Sequence, residues 1–163
     1  MPNNAIAKIV LAPNRFLVVL IIAGFIAAVA SLNIISIAGR SCDGYRTDQT
    51  VEIFDIKLKT EKAKTVADQQ KGLGGRECIA PDQAMLFELG VSGKNCFWMK
   101  NMRFSIDIIW LDSENRVVHL EQNVNPNTFP KTFCPKSDAV KVLEIQAGQA
   151  KNLNIELGGK LSL

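Results

Sequence analysis

The sequence has a single histidine, His119, and no two of its four cysteines stand two to four residues apart. A structural zinc knuckle needs such close pairs, so no metal site is expected, and no motif calls for a cofactor. Gly72-Leu73-Gly74-Gly75 has glycines but lacks the strand–loop–helix order of a phosphate cradle. No internal repeat or low-complexity tract is present, no acid precedes Asp43, and no charged residue lies between Phe16 and Gly39.

That last absence carries the most information. The run FLVVLIIAGFIAAVASLNIISIAG (16–39) has no polar stripe, as a buried helix of soluble protein would. As a helix it spans roughly 36 Å, enough to cross a hydrocarbon core of about 30 Å. Lys8 and Arg15 precede it, while Arg40 and Arg46 after it are balanced by Asp43 and Asp48. The bias toward basic residues before the run predicts an N-terminus inside and the remainder exported. The expected organisation is therefore a cytoplasmic N-terminus (1–15), a transmembrane helix serving as signal anchor (16–39), a linker (40–50) and an extracytoplasmic β-rich domain (51–163). Cleavage after Ala28-Val29-Ala30 or Ser36-Ile37-Ala38, giving a secreted protein, is the competing reading. Setting aside Lys8 and Arg15 leaves 17 basic against 16 acidic residues, too even a balance for nucleic-acid binding.

Cys42, Cys78, Cys96 and Cys134 all follow the apolar run. In an exported domain an even count reads as disulfides, with free thiols or redox chemistry the alternatives. Of the three possible pairings, Cys96–Cys134 with Cys42–Cys78 is the one expected here.

Along the domain, VEIFDIKLKT (51–60) reads as a first strand with an imperfect period of two. Thr65-Val66-Ala67-Asp68 fits a capping box opening a short helix that GLGG (72–75) stops. Strands are expected over 96–100 and 106–111, separated by a bend near 101–105 that would gather Lys100, Asn101, Arg103 and Asp107 if the two strands pair. A turn at Asp112–Asn115 leads to a return strand at 116–122. The stretch 123–136 holds three prolines and is expected to form no regular element. A strand over 139–145, a short helix after Ala147-Gly148 and a closing strand in GKLSL complete a mainly β, α+β fold, packed as an antiparallel barrel-like domain with one or two short helices.

GLGGR (72–76), MLFEL (85–89), CFWMKNMRFSIDIIWLD (96–112), RVVHLEQNV (116–124) and VLEIQAG (142–148) together resemble the domain of unknown function 192 family, over about residues 51–163. The FWMKN…IDIIW block is the specific part. The resemblance implies a compact β-barrel-like domain, often behind an export signal or anchor, and no established activity, cofactor or substrate. The chain departs from the family pattern in SIDII, where a proline often precedes the ID pair, and in DQQ, which lacks the usual proline-glutamate.

The most suggestive polar cluster is Lys100, Asn101, Arg103 and Asp107, beside Trp98. Cation, amide and aromatic face together suit a sugar or an anionic glycan, through hydrogen bonds and ring stacking. The plainer alternative has Asp107 capping the bend, Asn101 satisfying loop amides and the basic residues solvated. His119 with Glu121 invites acid–base chemistry, but a solvent-facing strand pair explains it as well. Glu144 and Glu156 are single carboxylates without an identifiable partner. Cys96 as nucleophile would need a free thiol, and Met85, Met99 and Met102 read as packing. The expected function is a membrane-tethered binding or interaction module of the cell envelope, for a glycan or a protein partner. The alternative is an envelope-acting hydrolase using Asp107 with His119 or Glu121.

Overall fold

The computed structural model describes Cys42 and residues 44–163. The expected membrane helix lies outside the described residues, among which no helix is long and apolar enough to cross a membrane. Eight strands and two short helices follow in the order β1 (Gln49–Ile53), β2 (Ile56–Ala63), α1 (Val66–Lys71), β3 (Gln83–Gly93), β4 (Phe97–Trp98), β5 (Ile106–Leu111), β6 (Val117–Val124), β7 (Thr132–Phe133), β8 (Ala139–Gln146) and α2 (Gln149–Asn152).

Six strands form one sheet in the order β1-β2-β3-β8-β5-β6, and β4 pairs with β7 separately. Every pairing is antiparallel except β2 with β3, which run parallel because α1 and the following loop carry the chain back across the sheet. The barrel expectation is thereby corrected. β1 and β6 are sheet edges, and the C-terminal segment, expected as a full strand, meets them through the single bridges Glu52–Ser162 and Arg116–Lys160 and through backbone hydrogen bonds of Gly158 and Gly159 with Val117.

Apolar side chains cover both faces of this sheet. Ile106, Ile108 and Trp110 of β5 enter one core with Met85, Phe87 and Val142. Ile109 and Leu111 enter the other with Leu86, Leu143 and Ile145. That is why all six residues of β5 are buried, Asp107 included.

Three local differences have physical causes. Residues 51–60 are a hairpin instead of one strand: Phe54 and Asp55 both take positive φ (47° and 67°), the twist a two-residue antiparallel turn needs. A pairing of 96–100 with 106–111 does not form, since β5 is already held on both edges by β8 and β6. Within 123–136, a 3₁₀ turn at Pro126–Thr128 and β7 at Thr132–Phe133 do form, the latter in the proline-free window between Pro130 and Pro135.

The capping box is present: Thr65 Oγ1 accepts from the Asp68 amide and the Asp68 carboxylate accepts from the Thr65 amide. Thr65→Ala is expected to cost about 1 kcal/mol, read as a lower urea midpoint with faster amide exchange confined to 66–71. The hairpin turn also forms, with Asp112 Oδ1 accepting from the Glu114 and Arg116 amides. Both expected disulfides, Cys42–Cys78 and Cys96–Cys134, are formed.

Residues just before β1 are packed onto the domain. The Tyr45 hydroxyl accepts from the amides of Glu61 on β2 and Ala84 on β3. Burial pushes it up to about 12. The Arg76 guanidinium lies over the Tyr45 ring and donates through Nη2 to both Glu61 carboxylate oxygens at 2.9 Å.

Candidate functional site

The loop after α1 and the turn after β4 dock against each other. A Cβ on Gly74 would stand 2.8 Å from the Lys71 carbonyl oxygen and 3.2 Å from that of Lys100, so only glycine permits the approach. Gly75 N donates to the Asn101 carbonyl at 2.8 Å, and Asn101 itself takes a left-handed φ of 59°. The side chains on either side of this seam border an open cleft of about 760 Å³, with Gln70 and Lys71 on one wall and Lys100, Asn101 and Arg103 on the other. Arg103 is ion-paired with Glu77. Neither Lys71 nor Lys100 has an acidic partner among the described residues; the Lys100 ammonium instead lies 5.5 Å from the centre of the Trp98 ring. Trp98 is 48% exposed and meets Phe129 edge-on.

Gln70, Lys71, Lys100 and Met102 also line a narrower cavity of about 250 Å³ that runs inward past Trp98, Phe97 and Phe87. Glu144 of β8 stands in its lining. This carboxyl is 5% exposed, and its Oε2 has no hydrogen-bond partner among the described residues. Burial pushes it from an ordinary 4.5 up to about 8, against the pull of the nearby Arg76 guanidinium. Folded Glu144 therefore keeps its proton where the unfolded chain has released it. Its contribution to stability is complete below about 4.5, declines as pH rises, and is gone above about 8. Urea midpoints compared at pH 5 and pH 8 should fall more steeply for the native protein than for Glu144→Gln.

Lys100, Asn101 and Arg103 thus converge on one cleft, while Trp98 lines the narrower cavity that shares Lys100 with it. Asp107 does not join them. It follows Ile106 by one residue, so its side chain leaves the sheet on the opposite face, where Oδ1 accepts from the Asn123 amide and Oδ2 from the Ala150 amide, both at 2.8 Å. Trp110 is buried in the core, its indole donating to the Asn95 carbonyl. His119 is not solvent-facing: its side chain is 12% exposed, its ring lies tilted 5.2 Å from that of Trp110, and it is bonded to Glu121 at 3.1 Å on β6. Cys96 is in a disulfide. Met85 and Met99 are core residues, and Glu156 is exposed. Among the described residues no group of three or more metal-ligating side chains converges.

Glu144 was visible in the sequence only as a lone carboxylate. The available signal was its place in VLEIQ, where a strand apolar on both sides of the acid leaves it no solvent face.

Residues 48–163 match the model of the DUF192 family, described as an uncharacterized ACR. No curated protein matches the chain. Two solved structures are similar. One is a Sinorhizobium meliloti 1021 protein provisionally described as a transcription regulator, 26% identical over 69% of this chain and 89% of that one, with a TM-score of 0.64. The other is a protein of unknown function from Novosphingobium aromaticivorans DSM 12444, 29% identical over 70% of this chain and 82% of that one, also at 0.64.

Proposed function

This chain belongs to the DUF192 family, and from that premise we propose that its domain is an extracytoplasmic binding module whose cleft takes an anionic glycan. Two disulfides argue for an oxidising compartment. The apolar run over 16–39 supports a single-pass anchor in the cell membrane, N-terminus inside, with the domain in the envelope. The observation that carries the reading is a pair of adjoining hollows that share two lysines without acidic partners, Asn101 lining the open cleft and the half-exposed Trp98 the narrower cavity beside it. Lysines supply charge attraction to carboxylates, Asn101 hydrogen bonds to hydroxyls, and Trp98 a flat apolar face for a sugar ring.

The hydrolase alternative has less support. Both Asp107 oxygens are occupied by backbone amides, and the His119–Glu121 pair is not among the residues lining the cleft. The near-even charge and the disulfides also give no reason to carry the regulator description over to this chain.

The test uses the full-length chain in detergent micelles, titrated with tetragalacturonate by calorimetry at low salt. Binding is expected, and Trp98→Ala together with Lys100→Ala should weaken it by about tenfold or more, the size expected for losing one stacking face and one cation. Equal affinity in the double variant would place any binding elsewhere.

A further inference from the structure

Among the described residues Glu144 is the one carboxyl that lines the inner cavity, and nothing in the cleft's attraction for anions requires it. It faces the same core as Met85, Phe87, Ile108 and Val142, on the sheet face where the other buried glutamate, Glu61, is already bonded to Arg76. A buried carboxyl oxygen left without a partner is costly, so such a group persists where something else meets it. Gly72 adds to the opening: a Cβ there would stand 3.5 Å from the Phe87 ring and 3.9 Å from Glu144 Oε2.

Resting on the glycan reading above, we infer that Glu144 is a specificity residue that donates a hydrogen bond from its protonated carboxyl to the carbonyl oxygen of a neutral amide, so that the inner cavity takes the acetamido group of an N-acetylated sugar. The cavity's size agrees, since about 250 Å³ is small for a whole ligand but ample for one substituent of a sugar held in the 760 Å³ cleft. Phe87, Phe97 and Met102 offer apolar surface to the acetamido methyl. Charge argues for a neutral group. Lys71 and Lys100 line the same cavity and Arg76 acts on Glu144 from the side of Glu61, so a ligand ammonium would enter against three cations. The facing positions on β3 and β5, Met85 and Ile108, carry no charge. With the carboxyl pushed up to about 8, it holds the proton it must donate at neutral pH.

The test compares two anionic probes on the full-length chain in micelles: hyaluronan tetrasaccharide, which carries acetamido groups, and tetragalacturonate, which has none. The native protein is expected to prefer hyaluronan by about tenfold, a common size for one well-made buried hydrogen bond. Glu144→Gln, whose amide still donates, should keep the preference, and Glu144→Leu should abolish it with galacturonate binding unchanged. Between pH 6.5 and 9 the preference should fall in the native protein and stay level in Glu144→Gln, which has no carboxyl proton to lose at that position. Galacturonate binding with no acetamido preference, or a preference that survives in Glu144→Leu, overturns the inference and leaves the glycan reading standing. Tighter binding of de-N-acetylated hyaluronan would make Glu144 a partner for cations and also overturn it. If neither acidic probe binds, the glycan reading fails and this inference with it.

Discussion

Asp107→Ala is expected to cost the domain about 2–5 kcal/mol, from stripping two buried backbone amides of their acceptor. Asp107 is fully buried, and its two oxygens clip the end of β6 at Asn123 and the first turn of α2 at Ala150 to the central strand β5. The α2 amide matters most, because Gly148 at the start of that helix has no side chain to cap it. Asp107→Asn should fall between, since one side-chain oxygen remains while its NH₂ would point at a donor. Urea unfolding checks this. A midpoint within error of the native one for Asp107→Ala would show that the clip contributes little. Because the side chain leaves the sheet on the face away from the cleft, oligosaccharide affinity of the folded variant should be unchanged. A hydrolytic role for Asp107 would predict the reverse pattern, with stability intact and activity gone.

The second large effect comes from the disulfides, and the two should differ in kind. Cys96–Cys134 and Cys42–Cys78 close loops of nearly equal length, with separations of 38 and 36 residues. On the chain-entropy account each then contributes roughly 4 kcal/mol. Paired serine substitutions should lower the thermal midpoint by similar amounts. Binding should separate them. Cys96 and Cys134 each adjoin a two-residue strand, and β4 and β7 meet only through Phe97–Phe133 and Trp98–Thr132. So short a ladder is marginal without its cross-link. Losing it should release Trp98 from the cavity beside the cleft and reduce galacturonate affinity at temperatures where the domain is still folded. Cys42–Cys78 joins the segment before Tyr45 to the one after Arg76, neither cysteine lines the cleft or the cavity, and its loss should leave affinity unchanged. Equal affinity in both variants would mean that Trp98 is positioned by its packing alone.

The legible parts of this protein were those written in neighbouring residues. Thr65 and Asp68 spell out a helix start, Asp112 to Asn115 a hairpin, and Trp98 to Arg103 a polar and aromatic cluster that the fold divides between two adjoining pockets. Phe54-Asp55 was missed as a turn because it lacks the Asn-Gly or Asp-Gly signature, although Asp55 did break the alternation of its strand. The joining of Lys71 to Lys100 across the cleft left no trace in spacing, since it depends on the approach of Gly74 to the Lys100 carbonyl.

The amino-acid sequence alone determined the class of fold, the cysteines available for cross-linking, the helix and hairpin ends, and an uncharged 24-residue apolar run with basic residues before it. Only the tertiary structure decided which strand lies beside which, and so which way Asp107 and Glu144 point. An alternating strand announces its faces when one side is polar. β5 and β8 are apolar on both, because a core covers each face of the sheet, and such a pattern carries no sign. Partners distant along the chain supply it: α2 and Asn123 claim Asp107 on one face, while Gly72, Phe87 and the inner cavity surround Glu144 on the other.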